Sequence, residues 1–135
     1  MSWPPDYDQV FKERYDRLVK IRKNPLILPK LKEYYKENPI AFINDWVCTY
    51  DPRNAFGASK NALMPFCLFP LQKDFIKFLV LLLEQQQNGL VEKSRDMGFT
   101  WLACAFSTWA WLFLPESGVG WGSRKAEYVD EKGDP

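Results

Sequence analysis

The chain contains no histidine, and that absence removes a Ser-His-Asp triad, a Cys-His nucleophile pair and any His-ligated metal site from it. Cysteine is sparse as well. Cys48, Cys67 and Cys104 are odd in number, widely spaced and form no CxxC pair, which points to a reducing compartment and no disulfide framework. Neither sign of charge is in excess: 18 Lys and Arg face 17 Asp and Glu, a net +1. That balance excludes a charge-swollen disordered tail and a chain held to nucleic acid by bulk charge alone. The opening run, MSWPPDYDQVFKERYD, is too polar for a signal peptide. The apolar segment FTWLACAFSTWAWLFL, residues 99–114, falls short of the ~20 residues a helical membrane span needs, so it reads as a buried helix and no membrane is expected.

Aromatic residues are what the chain has in quantity: 6 Trp, 6 Tyr and 10 Phe among 135 residues. Much of that surface needs burial, and the chain is long enough for one domain with a core of its own. Residues 6–23 read as an amphipathic helix with Asp6 and Gln9 as a capping box. Asn24-Pro25 stops it, a second helix runs from Pro29 to about residue 37, and Asn38-Pro39 opens a short third one through IAFINDW. The net basic run 12–23 reads as a solvated helix face ahead of a DNA contact. YDPRN and FGASKN are turn chemistry. From Met64 the texture changes: MPFCLFPLQ is extended or looped, QKDFIKFLVLLLEQQQ is an apolar helix, GLVEK and VGWGS are short strand candidates, and the aromatic run between them is a helix. That order of elements is how a parallel α/β sheet begins.

Between GLVEK and the aromatic helix lies EKSRDMGFTW, residues 92–101. A standard phosphate loop reads GxxxxGK[ST]. With Gly98 as its second glycine, Lys93 stands at the first, Phe99 at the lysine and Thr100 at the hydroxyl, so the pattern is met only in part. The physics asks less than the pattern does. A cradle needs a cation within reach, supplied here by Lys93 or Arg95 from the front of the loop, and Thr100 opens a helix whose N-terminus favours an anion. Asp96 is awkward beside a triphosphate. The bland alternative is a solvated turn in which Lys93, Arg95 and Asp96 pair with one another. Upstream, Gln72 in FPLQKDF carries the donor and acceptor that the adenine N6 and N7 edge requires.

These segments in this order resemble the large terminase subunit of tailed bacteriophages, an ATP-driven DNA-packaging motor. FINDWVCTYDPRN, PFCLFPLQKDFIKFL, GLVEKSRDMGFTWL and GWGSRKAEYVD carry the likeness, and EKSRDMGFTW is its most specific part. Many members of that family have a deviant Walker A with the basic residue at the loop's start. The resemblance implies ATP and Mg2+ as cofactors, Lys93 as the phosphate cation, Thr100 as the magnesium-side hydroxyl, Ser94, Arg95, Asp96, Met97 and Gly98 with Phe99 as the cradle, and Gln72 as the adenine contact. GSRK, residues 122–125, is similar to a family segment near the nucleotide or DNA path. It implies an α/β fold, a helical lead-in over residues 1–60 followed by the truncated start of a P-loop NTPase domain with a parallel sheet over residues 61–135. The partners it implies are double-stranded DNA, the portal protein, the small terminase subunit and the remainder of the large subunit. The implied location is the cytoplasm of an infected or lysogenic bacterial host.

The departures are equally specific. A Walker B pair closes an apolar strand, and Glu127, Asp130, Glu131 and Asp134 follow none. The clustered carboxylates of a two-metal nuclease have no room here. The resemblance breaks off inside the ATPase domain, so the chain reads as a truncated prophage gene, part of a split reading frame or a deliberately cut piece, unable to turn over ATP alone. Apolar helices with at most two strands between them leave surface uncovered, and self-association is expected. The alternative reading is a non-enzymatic helical interaction module or a relic fragment. A membrane hairpin of residues 75–83 and 99–114 is disfavoured by Lys73, Asp74 and Lys77.

Overall fold

A computed structural model describes residues 4–50, 62–94 and 97–122. Helix α1, Tyr7–Lys23, starts where the Asp6 carboxylate accepts the Asp8 and Gln9 amides at 3.1 and 3.2 Å. The reciprocal half of the expected box is not made, and the Gln9 side-chain Nε2 donates to Glu13 one turn on. Asn24 ends α1, and the 3₁₀ turn Pro25–Ile27 leads into α2, Leu28–Glu37, with Pro29 in its first turn. Asn38 separates α2 from α3, Pro39–Trp46. Its side chain does not cap α3 as expected and instead donates to the Tyr34 carbonyl in the last turn of α2 at 2.8 Å. Strands β1, Cys48–Tyr50, and β2, Leu63–Pro65, pair antiparallel with Thr49 opposite Met64. The Phe66 amide extends the ribbon to the Val47 carbonyl at 2.8 Å. Helices α4, Pro70–Gln85, and α5, Phe99–Phe113, follow.

The core lies where α2, α3, β2, α4 and α5 converge. Ile43 and Ile76 are fully enclosed, with Tyr35, Phe42, Phe66, Leu68, Leu102 and Trp109 around them. The aromatic excess is spent here: Tyr35 meets Phe42 and Trp46 edge-on, and Phe42 meets Phe113 with centroids 5.2 Å apart. Trp109 donates its indole N–H to the Tyr35 carbonyl at 2.8 Å, fastening α5 to α2. Helix α1 buries Val10 and is further attached through polar groups. The buried Arg14 guanidinium donates to the Asn44 and Val47 carbonyls at the end of α3 and to the Cys48 thiol, where a cation also suits the helix dipole. Arg17 pairs with Asp45 at 3.2 Å and stacks over Trp46.

The expected α/β fold with a parallel sheet is not what the chain adopts. Among the described residues it is mostly helical, and its only sheet is the two-stranded antiparallel ribbon β1-β2. Residues 89–93, expected as a strand, have no ladder partner, and Leu90 is 96% exposed. Residues 119–122 of the second expected strand are irregular and exposed too. A strand is stable only when its backbone groups are paired and one face is covered. Two isolated runs of four or five residues supply neither, whereas α4 and α5 close their backbone bonds internally. None of the helices is long and apolar enough to cross a membrane among the described residues.

Candidate functional site

Gln72 stands in the first turn of α4 and is 6% exposed. Its Oε1 accepts the Phe69 amide at 3.3 Å, holding the helix start, and its Nε2 donates to the Met97 carbonyl at 3.3 Å. One amide therefore joins the beginning of α4 to the loop that enters α5. An amide oxygen has a second lone pair and an amide nitrogen a second hydrogen, so both atoms retain capacity for one more bond. Sequence reading singled out this glutamine but missed its link to Met97, which needs the loop's fold to be visible.

Gly98 is the next fixed point. Its φ of +68° lies in the left-handed region, and a Cβ there would sit 3.3 Å from Gln72 Nε2. Glycine takes this conformation without penalty, and it is the N-cap of α5 with no side chain capping the helix. The first-turn amides of Phe99, Thr100 and Trp101 thus begin the helix without an intrahelical acceptor. Lys93 lies over the Phe99 ring, its Nζ 5.8 Å from the centroid, a cation–π contact at an exposed site.

These groups border a cleft of about 540 Å³ between α4, α5 and residues 90–94, a size within the range of small-molecule sites. Its walls are mostly apolar, with Phe69, Phe75, Phe78, Leu102 and Val91 contributing, and Asp74 and Glu92 add carboxylates. Of the residues expected to hold nucleotide, Gln72, Lys93, Ser94, Met97 and Phe99 line it. Gly98 is not among the lining residues. Thr100 is exposed at the head of α5 and is not part of the lining. Arg95 and Asp96 lie outside the described residues, as do residues 123–125 of GSRK and the carboxylates from Glu127 on.

The walls that sequence reading overlooked are Phe75 and Phe78. Their spacing along α4 was available as a signal, since residues three apart share a helix face. As for magnesium, no cluster of three or more His, Cys, Asp or Glu able to hold a metal exists among the described residues. Magnesium carried on phosphates needs only one or two protein carboxylates, and Asp74 and Glu92 are the ones the cleft has. Asp74 already pairs with Lys77 at 3.0 Å, which leaves Glu92 as the better candidate. Compared with protein-family models, with curated proteins and with solved structures, the chain finds no match.

Proposed function

We propose that the chain is the N-terminal ATP-binding part of a phage DNA-packaging terminase large subunit. The observation that carries this reading is the cleft, where Gln72, Lys93, Ser94, Met97 and Phe99 meet beside the uncapped start of α5. Gln72 comes from the start of α4 and the other four from the single segment 93–99. An apolar wall faces the base, the free valences of the Gln72 amide suit an adenine edge, and Lys93 with the α5 amides suits phosphate. Glu92, in the lining, would be the carboxylate to help hold a Mg2+ carried on the phosphates. The wider roles, DNA translocation with a portal protein and a small subunit, rest on the sequence resemblance alone.

The test is a titration of the chain with a fluorescent ATP analogue and Mg2+, repeated with Lys93→Ala. Saturable binding that ATP displaces, weakened about tenfold or more by Lys93→Ala, supports the proposal; this corresponds to the roughly 1.5–3 kcal/mol of a charge-assisted contact. Absence of saturable binding by the folded chain contradicts it. A second reading, a non-enzymatic interaction module, draws support from the exposed tryptophans of α5.

A further inference from the structure

Helix α5, Phe99–Phe113, contains no charged residue. Its buried side chains, Leu102, Ala105, Trp109 and Ala110, face the core. Those left exposed are Thr100, Trp101, Cys104, Thr108, Trp111 and Leu112. At about 100° per residue all of these fall on one face. They are also arranged symmetrically about position 106: Thr100 mirrors Leu112, Trp101 mirrors Trp111, and Cys104 mirrors Thr108.

Such a pattern is complementary to itself. Two copies of α5 laid antiparallel across a two-fold axis level with residue 106 put each of these residues opposite its mirror position. Trp101 then faces Trp111 of the second copy, and Cys104 faces Thr108 of the second copy. The alternating spacing 101, 104, 108, 111 is that of a coiled-coil seam. Small side chains at the middle let the helices approach, and indole rings close both ends. The Thr108 hydroxyl already donates to the Cys104 carbonyl at 2.9 Å, so it needs no partner from across the seam. With no charge on the helix, nothing on this face repels an identical face.

We infer that the exposed face of α5 docks a second copy of this chain as an antiparallel α5–α5 pair. Trp111 is 70% exposed and Trp101 43%. At roughly 150–250 Å² for a whole tryptophan, the exposed parts of these two supply about 170–280 Å² per copy, and Thr100, Cys104, Thr108 and Leu112 bring the face to about 400 Å². Val119, exposed at the edge beside Thr108 and Trp111, adds to the rim. The total approaches the ~1,000 Å² that marks a specific interface, which makes the dimer weak and concentration-dependent.

Light scattering on the full chain tests the pairing. The apparent mass is expected to double as concentration rises from about 1 to about 100 µM, and Trp111→Lys, at an exposed site, removes the rise with the helical circular dichroism unchanged. Thr108→Cys tests the register separately. Under mild oxidation its new thiol links to Cys104 of the second copy, giving a covalent dimer that disappears when Cys104→Ser is added. A chain that stays monomeric at the upper concentration overturns the inference, as does a dimer indifferent to Trp111→Lys. A Thr108→Cys variant that forms no link, or a link that survives Cys104→Ser, also overturns it. If Trp111→Lys unfolds, the linking experiment decides alone.

Discussion

Gly98 combines a left-handed backbone with a close neighbour, Gln72 Nε2, 3.3 Å from where a Cβ would sit. An L-residue in that conformation costs roughly 1–2 kcal/mol, and the buried, hydrogen-bonded Gln72 amide must also give by a few tenths of an ångström. Gly98→Ala should therefore lower the urea unfolding free energy by about 1–2 kcal/mol. Tyr35 makes a different kind of prediction. Burial first, and then its hydrogen bond to the Asp45 carboxylate at 2.9 Å, push its phenol from the ordinary 10.0 up to about 12. The folded state thus favours the neutral phenol. That contribution is fully present below pH 10 and is lost as the pH rises through about 12. Denaturation curves across this window should show stability falling, and Tyr35→Phe should flatten the fall while costing about 0.5–1.5 kcal/mol at neutral pH. The importance of Gly98 was legible as a glycine in a polar loop ahead of a helix. That of Tyr35 was not, because Asp45 reaches it only after α2 and α3 pack.

At the scale of elements, the first helices were readable because they carry their own punctuation. Asp6, Pro29 and Pro39 mark starts, and a helix satisfies its backbone within itself, whereas Pro70, read as part of an extended or looped stretch, opens α4. The strands misled for the opposite reason. GLVEK has strand-like composition, yet nothing in its own residues states whether a partner exists, while the stretch from Met64 was read as extended or looped and its start pairs with CTY. Arg14 was read as part of a solvated basic face, although it is buried against the end of α3. A one-dimensional charge pattern does not reveal the orphan carbonyls of another helix. Helix α4 ends at Gln86 with φ 52°, a left-handed cap built without glycine. Gln86→Gly should accordingly raise the thermal midpoint, by about 0.5–1 kcal/mol of stability, in a melting experiment.

Among the described residues the molecule is a helical cluster with one ribbon, and its aromatic content makes sense at that scale. Tyr35, Phe42, Trp109 and Phe113 join α2, α3 and α5 into one core, while Trp101, Trp111, Leu81 and Leu83 stay on the surface. The expectation of uncovered apolar area came from the excess of apolar helix over sheet, and α4 and α5 do expose such residues. The cleft was legible in part. Motif order chose Gln72 and Lys93, but the aromatic wall of Phe75 and Phe78 and the exclusion of Thr100 from the lining came only with the packing of α4 against the loop.

Binding of ATP at this cleft is the central claim, and hydrogen exchange measured amide by amide tests it most directly. Saturating ATP with Mg2+ should slow exchange at the amides of Met97 to Trp101 and of residues 90–94, with little change in α1. Exchange unchanged around the cleft at saturating nucleotide, or protection confined to some other part of the chain, contradicts the claim.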